Sequence, residues 1–271
     1  MTREEAEAVC KVVRAGSGVV IDPSKTYVIE TRLAVLARRD GYESLAELIQ
    51  ALPADEALMA AVTETLTHSE TSFFRDRTPF HCFCDEMLPQ LAARRDRPLR
   101  VWSAGCATGQ EPYSLAMMID EAAARSPGLK VELFASDLSE RRLEKAQSGL
   151  YTQFEVQRGL PIRQLVRHFD RAGELWEISP RLREMVRWRR INLMAELKPV
   201  SHFDVIFCRN VLTMLDPALR PKLLERLTRA LTPDGWLVLG REETAAGVAA
   251  LEPVDGWAGA FGRSDRIRAA A

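Results

Sequence analysis

Pairs of cysteines at metal-ligand or disulfide spacing are missing from this sequence. Its five cysteines, Cys10, Cys82, Cys84, Cys106 and Cys208, form no C-x-x-C motif. Cys82 and Cys84 follow His81, but a tetrahedral zinc site needs a second ligand pair, and none stands nearby. Buried thiols in a reducing compartment are the simpler reading, so a cytoplasmic protein without a metal is expected. The opening residues, MTREEAEAVC, lack the apolar core of a secretory leader. No apolar run reaches the roughly 18 residues that cross a bilayer, so direct membrane insertion is not expected. A basic surplus is missing as well: the formal net charge is −1. Proteins that neutralise phosphates need Lys and Arg in excess somewhere, which argues against a nucleic-acid partner. The dinucleotide fingerprint G-x-G-x-x-G is absent, which argues against a dehydrogenase. Internal repeats and low-complexity tracts are absent too.

What remains is an ordinary globular composition, 46% hydrophobic and 28% charged over 271 residues. That length suits one large domain or two smaller ones. The first part reads as helices: Glu4 to Arg14, Lys25 to Arg39 after the start signal Asp22-Pro23-Ser24, Ser44 to Leu52, Asp55 to His68 and Thr78 to Arg95. Gly41 and Pro53 act as stops. From Leu99 the texture changes to strands alternating with helices: LRVWSAG, VELFASD, VRWRRINL, FDVIFCRN and, after the turn signal Pro233-Asp234-Gly235, WLVLG. This alternation implies an α/β fold with a parallel sheet. Leu251 to Arg263 reads as a terminal hairpin on the sheet edge. Tyr151 to Glu184 is longer than a crossover requires and reads as a small inserted subdomain, about residues 152–184. The expected division is a helical domain over 1–78 and an α/β domain over 79–271.

Candidate site residues cluster at strand ends, where open α/β sheets bind ligands. In VWSAGCATGQEPYS the backbone turns through Gly105 and Gly109, and Glu111 opens a helix. An acidic residue there disfavours a pyrophosphate and suits the cationic part of S-adenosylmethionine. Asp137 ends VELFASD, where it can accept ribose hydroxyls or cap the following helix. Asn192, with Leu193, follows the third strand and can read an adenine edge or serve a turn. Arg209 and Asn210 end the fourth strand. An arginine there needs a partner, either a ligand carboxylate or a structural ion pair. HSETSFFRD places Thr71 and Arg75 at the joint between the two parts.

Together ETSFFRD, WSAGCATGQEPYS, ASDLSERRLEKAQSGLY, Asn192-Leu193 and IFCRNV resemble the CheR-type chemotaxis receptor glutamate O-methyltransferases over nearly the whole chain. The resemblance implies an S-adenosylmethionine-dependent methyltransferase (Rossmann-like) sheet, an N-terminal all-helical domain and a small inserted β-subdomain that engages the receptor. It implies S-adenosylmethionine as cofactor and S-adenosylhomocysteine as product, contacted by Thr71, Arg75, Glu111, Asp137, Asn192, Leu193, Arg209 and Asn210. Arg75 and Arg209 are the expected catalytic residues, in positioning roles. The implied partner is the cytoplasmic helical bundle of chemoreceptors. The short loop RAGELW resembles the branch that needs no receptor tether peptide, and a monomer is expected. Arg32, Arg38 and Arg39 are expected to form a basic face toward an acidic receptor bundle.

One position departs from the family pattern. After the Arg-Asn pair the family usually carries a tyrosine near the transferred methyl, and here that position is Met214. Two alternatives stay open: a cofactor-binding regulatory protein of the same fold with weak or no transfer, and a methyltransferase for another carboxylate. A nucleic-acid methyltransferase is disfavoured, because the fourth strand ends in CRNV and not in a Pro-Pro-aromatic motif.

Overall fold

The computed structural model describes residues 1–67, 70–196, 202–257 and 259–264, so His68 and Ser69 of the HSETSFFRD segment lie outside the described residues. The chain divides into two compact units. One comprises Met1–Glu70, Asn192–Glu196 and Met214–Arg220; the other comprises Thr71–Ile191, Leu197–Thr213 and Pro221–Ala271.

The first unit is built on helices whose ends are written locally. In α1 (Arg3–Ser17) the Thr2 hydroxyl accepts from the Glu5 N–H while the Glu5 carboxylate accepts from the Thr2 N–H, a reciprocal cap. α2 (Thr26–Asp40) starts later than the Asp22-Pro23-Ser24 signal suggests. Asp22 accepts from the N–H and hydroxyl of Ser24, which closes a turn ahead of the helix. Ser44 caps α3 (Leu45–Ala51), and the Glu47 carboxylate reaches back to the Glu43 N–H. Pro53 lies in a 3-10 turn, and Asp55 caps α4 (Glu56–Leu66). Val9, Val13, Ile29, Leu33, Leu48 and Val62 are buried. The later segments join through the Arg14–Asp216 ion pair and an antiparallel bridge between Val19 and Leu215.

The basic face expected on α2 is smaller than its arginine content suggests. Arg32 donates to the carbonyls of Thr65 and Leu66, where α4 ends with unpaired carbonyls. Arg39 forks onto Asp40. Arg38 is exposed, as are Tyr27, Val28 and Val35.

The second unit opens with α5 (Thr78–Cys82) and α6 (Leu88–Ala92), joined by a π-helical turn over Phe83–Met87. Then follow β1 (Leu99–Ala104), α7 (Gln110–Arg125), β2 (Val131–Asp137) and α8 (Glu140–Ser148). The expected insertion is a three-stranded antiparallel sheet: β3 (Leu150–Tyr151), α9 (Gln153–Gln157), α10 (Ile162–His168), β4 (Phe169–Ala172) and β5 (Leu175–Ile178), in the order β3-β5-β4, followed by α11 (Pro180–Glu184). Tyr151 ties it down. Its hydroxyl donates to the Thr108 carbonyl, and its ring meets Phe73 edge-on at 5.0 Å.

The main sheet continues with β6 (Val186–Arg190), β7 (Phe203–Cys208), α12 (Arg220–Ala230), β8 (Leu231–Leu239), β9 (Leu251–Pro253) and β10 (Ala260–Arg263). The strand order is β6-β2-β1-β7-β8-β10-β9. The first five are mutually parallel, and β10 and β9 form the expected antiparallel hairpin at the edge. Pro233-Asp234-Gly235 does not end a segment. These residues lie in a bulge of β8, between the pairs Phe203–Leu231 and Val205–Trp236. The chain runs outward from β1 through β2 to β6, then returns to the other side of β1 for β7 and β8. The order therefore reverses between β1 and β7, and the carboxyl ends of those strands flank a topological switch point.

Candidate functional site

Gly105 closes the switch point. It leaves β1 with φ of 76°, and a Cβ there would stand 2.5 Å from the Val211 side chain just beyond β7, so only glycine fits. The turn continues through Ala107, with φ of 49°, to Gly109. Asp137, at the end of the neighbouring β2, holds that turn in place. One carboxylate oxygen accepts from the Ala107 N–H at 2.9 Å and the other from the Ser139 N–H at 3.0 Å. The N-cap of α8 is Ser139, whose hydroxyl accepts from the Arg142 N–H. Asp137 thus shapes the glycine turn beside any ligand role.

Glu111, in the first turn of α7, points its carboxylate toward β1 and β7. Oε1 accepts from the Ser103 hydroxyl at 2.8 Å, and Oε2 lies 3.4 Å from Nη1 of Arg209. Burial raises its pKa, an effect that Arg209 and Ser103 oppose. Arg209 has its side chain only 1% exposed. Its Nη2 donates to the Asp76 carboxylate at 2.7 Å and to the Arg75 carbonyl at 2.9 Å, and its guanidinium lies over the Phe80 ring. The partner that a strand-end arginine requires is therefore supplied from within the protein by Asp76 and Glu111. Its Nε is buried without a partner among the described residues.

Arg209 thereby holds the segment that carries Arg75. Phe74, Asp76 and Arg77 all have positive φ, at 48°, 62° and 33°. Each such non-glycine residue costs about 1–3 kcal/mol and persists only where the surroundings enforce it. Here the Phe74 N–H donates to the Ser114 hydroxyl, while Arg209 grips Arg75 and Asp76. Thr71 and Arg75 are both half-buried. Asn210 follows with φ of 60°.

Arg75, Glu111 and Arg209 are thus brought into one bonded network in the second unit. Asp137 and Asn210 belong to the same set of strand ends, and Thr71 begins the segment that carries Arg75. Asn192 and Leu193 fall in the first unit. The Asn192 amide donates to the Gly16 carbonyl at 2.8 Å and its oxygen accepts from the Met194 N–H at 2.9 Å, so its side chain serves the local fold. Met214 ends a 3-10 turn, and its carbonyl accepts from the Val20 N–H. All five cysteines are free, and burial pushes the Cys106 and Cys208 thiols well up, which leaves them protonated and poorly nucleophilic.

Sequence reasoning missed Glu243. This buried carboxylate, beyond β8, accepts from the backbone N–H groups of Asn210, Thr213 and Gly240. The available signal was an acidic residue shortly after a parallel strand.

The donor set fits S-adenosylmethionine. Glu111 is an acceptor for a cationic group, Asp137 is a carboxylate at the second strand tip, and the glycine turn admits a ligand close to the backbone. Comparison with known proteins agrees. The family model described as CheR methyltransferase, SAM binding domain, matches residues 69–254, and that of the CheR methyltransferase all-alpha domain matches residues 4–67. Chemotaxis protein methyltransferase 1 of Vibrio cholerae serotype O1 is 34% identical, over 90% of each chain. Chemotaxis protein methyltransferase 1 of Pseudomonas aeruginosa is 38% identical, over 83% of this chain and 85% of that one. The chemotaxis protein methyltransferase of Borreliella burgdorferi is 31% identical, over 93% and 92%. With an all-helical part, acidic strand ends at a topological switch point and relatives that match over most of the chain, the chain belongs to the CheR methyltransferase family, the S-adenosylmethionine-dependent methyltransferases of chemotaxis.

Proposed function

We propose that this protein methylates glutamate side-chain carboxylates on the cytoplasmic helical bundle of bacterial chemoreceptors. The observation that carries the reading is Arg75. A cation stands on backbone forced into strained conformations and is anchored through Arg209 to Glu111. Strain maintained at one site is a mark of pre-organised function, and a guanidinium carried on such a backbone suits an incoming carboxylate.

S-adenosylmethionine, when bound, supplies a methyl group already activated on a sulfonium. A glutamate carboxylate, with an ordinary pKa of about 4.3, is already ionised at neutral pH, so no general base is needed. The chain's residues then have two tasks. Glu111 and Asp137 hold the cofactor's cationic and ribose groups, with Thr71 and Asn210 as further contacts. Arg75 orients the carboxylate, and Arg209 acts behind it, through the Arg75 carbonyl and Asp76. Orientation of this kind contributes on the order of 7–11 kcal/mol. Too tight an arginine grip would quench the nucleophile, which favours one positioning cation over two. The Arg171–Trp176 hairpin has a short loop at Gly173, which supports recognition of the bundle without a receptor tether peptide. Recognition by a monomer is part of the same reading.

The test is methyl transfer from labelled cofactor to receptor cytoplasmic domains. Label released as methanol by mild alkali, and lost when the accepting glutamates are changed to alanine, is the expected result. Label that resists alkali would mean that carboxylates are not the acceptors.

A further inference from the structure

Glu243 does more than fill the end of the sheet. Its carboxylate is buried and takes N–H groups from two strand ends at once: Gly240 at 2.8 Å beyond β8, and Asn210 at 2.7 Å and Thr213 at 3.1 Å beyond β7. A turn closed by the Glu243 N–H on the Gly240 carbonyl, at 2.9 Å, fixes the carboxylate relative to β8. Gly240 is glycine for a steric reason. A Cβ there would come within 2.8 Å of the Glu243 carboxylate and 2.9 Å of the Asn210 N–H and side-chain amide nitrogen. Between the two gripped amides runs the loop Asn210–Thr213. It begins with a left-handed non-glycine residue and contains Val211, the side chain that closes on Gly105. Without an acceptor, the buried Gly240 N–H and the half-buried Asn210 N–H would be left unpaired, and Asn210 would have little reason to keep a φ of 60°.

We infer that Glu243 is a positioning residue for methyl transfer: it sets the β7 loop, and with it Asn210 and the Val211–Gly105 contact, in the conformation that receives the cofactor. The inference rests on the proposed reading for the placement of Asn210 at the cofactor. It does not depend on which carboxylate is methylated. A buried carboxylate holding three N–H groups is an acceptor only, and Gln, which keeps the shape, must turn an NH2 toward at least one donor. Glu243→Gln should therefore loosen the loop without emptying the space.

The experiment compares wild type, Glu243→Gln and Leu227→Ala, the last a buried site on α12 chosen to lower thermal stability by other means. S-adenosylhomocysteine affinity is measured by calorimetry on folded protein, and hydrogen exchange is followed at the amides of Asn210, Thr213 and Gly240. Glu243→Gln should weaken binding at least about tenfold and speed exchange at those three amides, while Leu227→Ala changes neither. The tenfold threshold corresponds to about 1.4 kcal/mol. Glu243→Gln affinity within twofold of wild type, or a matching loss in Leu227→Ala, overturns the inference. If Glu243→Gln fails to fold, Glu243→Asp, which keeps the charge but shortens the reach, is put to the same comparison. A wild type that binds the cofactor product but leaves receptor glutamates unmodified sinks the substrate reading instead, and the affinity ratio still decides the role of Glu243.

Discussion

Burial holds the Glu111 carboxyl above its ordinary range, with Arg209 and the Ser103 hydroxyl pulling the other way. A cationic cofactor group gains only from ionised Glu111. Affinity for S-adenosylhomocysteine should therefore fall as the pH drops through this raised pKa, beginning above the value of about 4.3 expected for a free glutamate. The effect on folding has the opposite sign: a raised carboxyl pKa leaves stability highest at low pH and removes it as the pH rises through the folded-state value. Calorimetry over a series of falling pH should show weakening for wild type and a flat profile for Glu111→Gln. A wild-type profile as flat as the variant's would count against this contact. Met214 makes a second prediction at this scale. If a tyrosine at this position aligns the carboxylate, as the resemblance implies, Met214→Tyr should raise turnover about tenfold, since one neutral hydrogen bond contributes roughly 1 kcal/mol. Cofactor affinity should stay within a factor of a few, because a hydroxyl that acts only in the transition state changes rate and not ground-state binding. Equal rates on a verified substrate would show that this position is not limiting.

Among the elements, the insertion and the segment that carries Arg75 depend on each other. Phe73 is fully buried and meets Tyr151 and Phe169 edge-on at 5.0 and 5.6 Å, while Tyr151 reaches the glycine turn through Thr108. The aromatic cluster thus ties the antiparallel subsheet to the strained backbone on either side of Arg75. Phe73→Ala should cost about 3–5 kcal/mol, as a large ring lost from a packed core does. It should also speed hydrogen exchange in residues 150–178 ahead of β1, β2 and β7. Uniform loosening of the whole unit would mean that the cluster belongs to the general core and does not couple these two elements. The helix start at Ser44 was legible in the sequence because its hydroxyl and the Glu47 N–H that it accepts from lie three residues apart. α2 begins at Thr26, one residue beyond the expected Lys25, after the turn that Asp22 closes on Ser24.

For the molecule as a whole, the near-neutral net charge makes local charge placement decisive in meeting the proposed receptor. Of the three α2 arginines, Arg32 is engaged with carbonyls of α4 and Arg39 with Asp40. Arg38→Glu should therefore lower receptor affinity and flatten its salt dependence, whereas Arg39→Gln should do little. Binding titrations at several salt concentrations separate the two. Identical losses for both variants would restore the broader basic face. The order of elements, the α/β class, the inserted subdomain and the edge hairpin follow from periodicity and turn residues, which act over a few positions of the chain. The candidate residues at strand ends were legible for the same reason, since a strand's last residue is visible in its pattern. Their partners were not. Arg209 bonds Asp76 across 133 positions of sequence and Glu111 across 98. Glu243 grips Asn210 across 33, at a strand pairing that only the sheet order creates. A guanidinium in an isolated segment needs a partner but does not name one. The reversal between β1 and β7 brings Glu111 and Asp76 within reach before any ligand carboxylate is present.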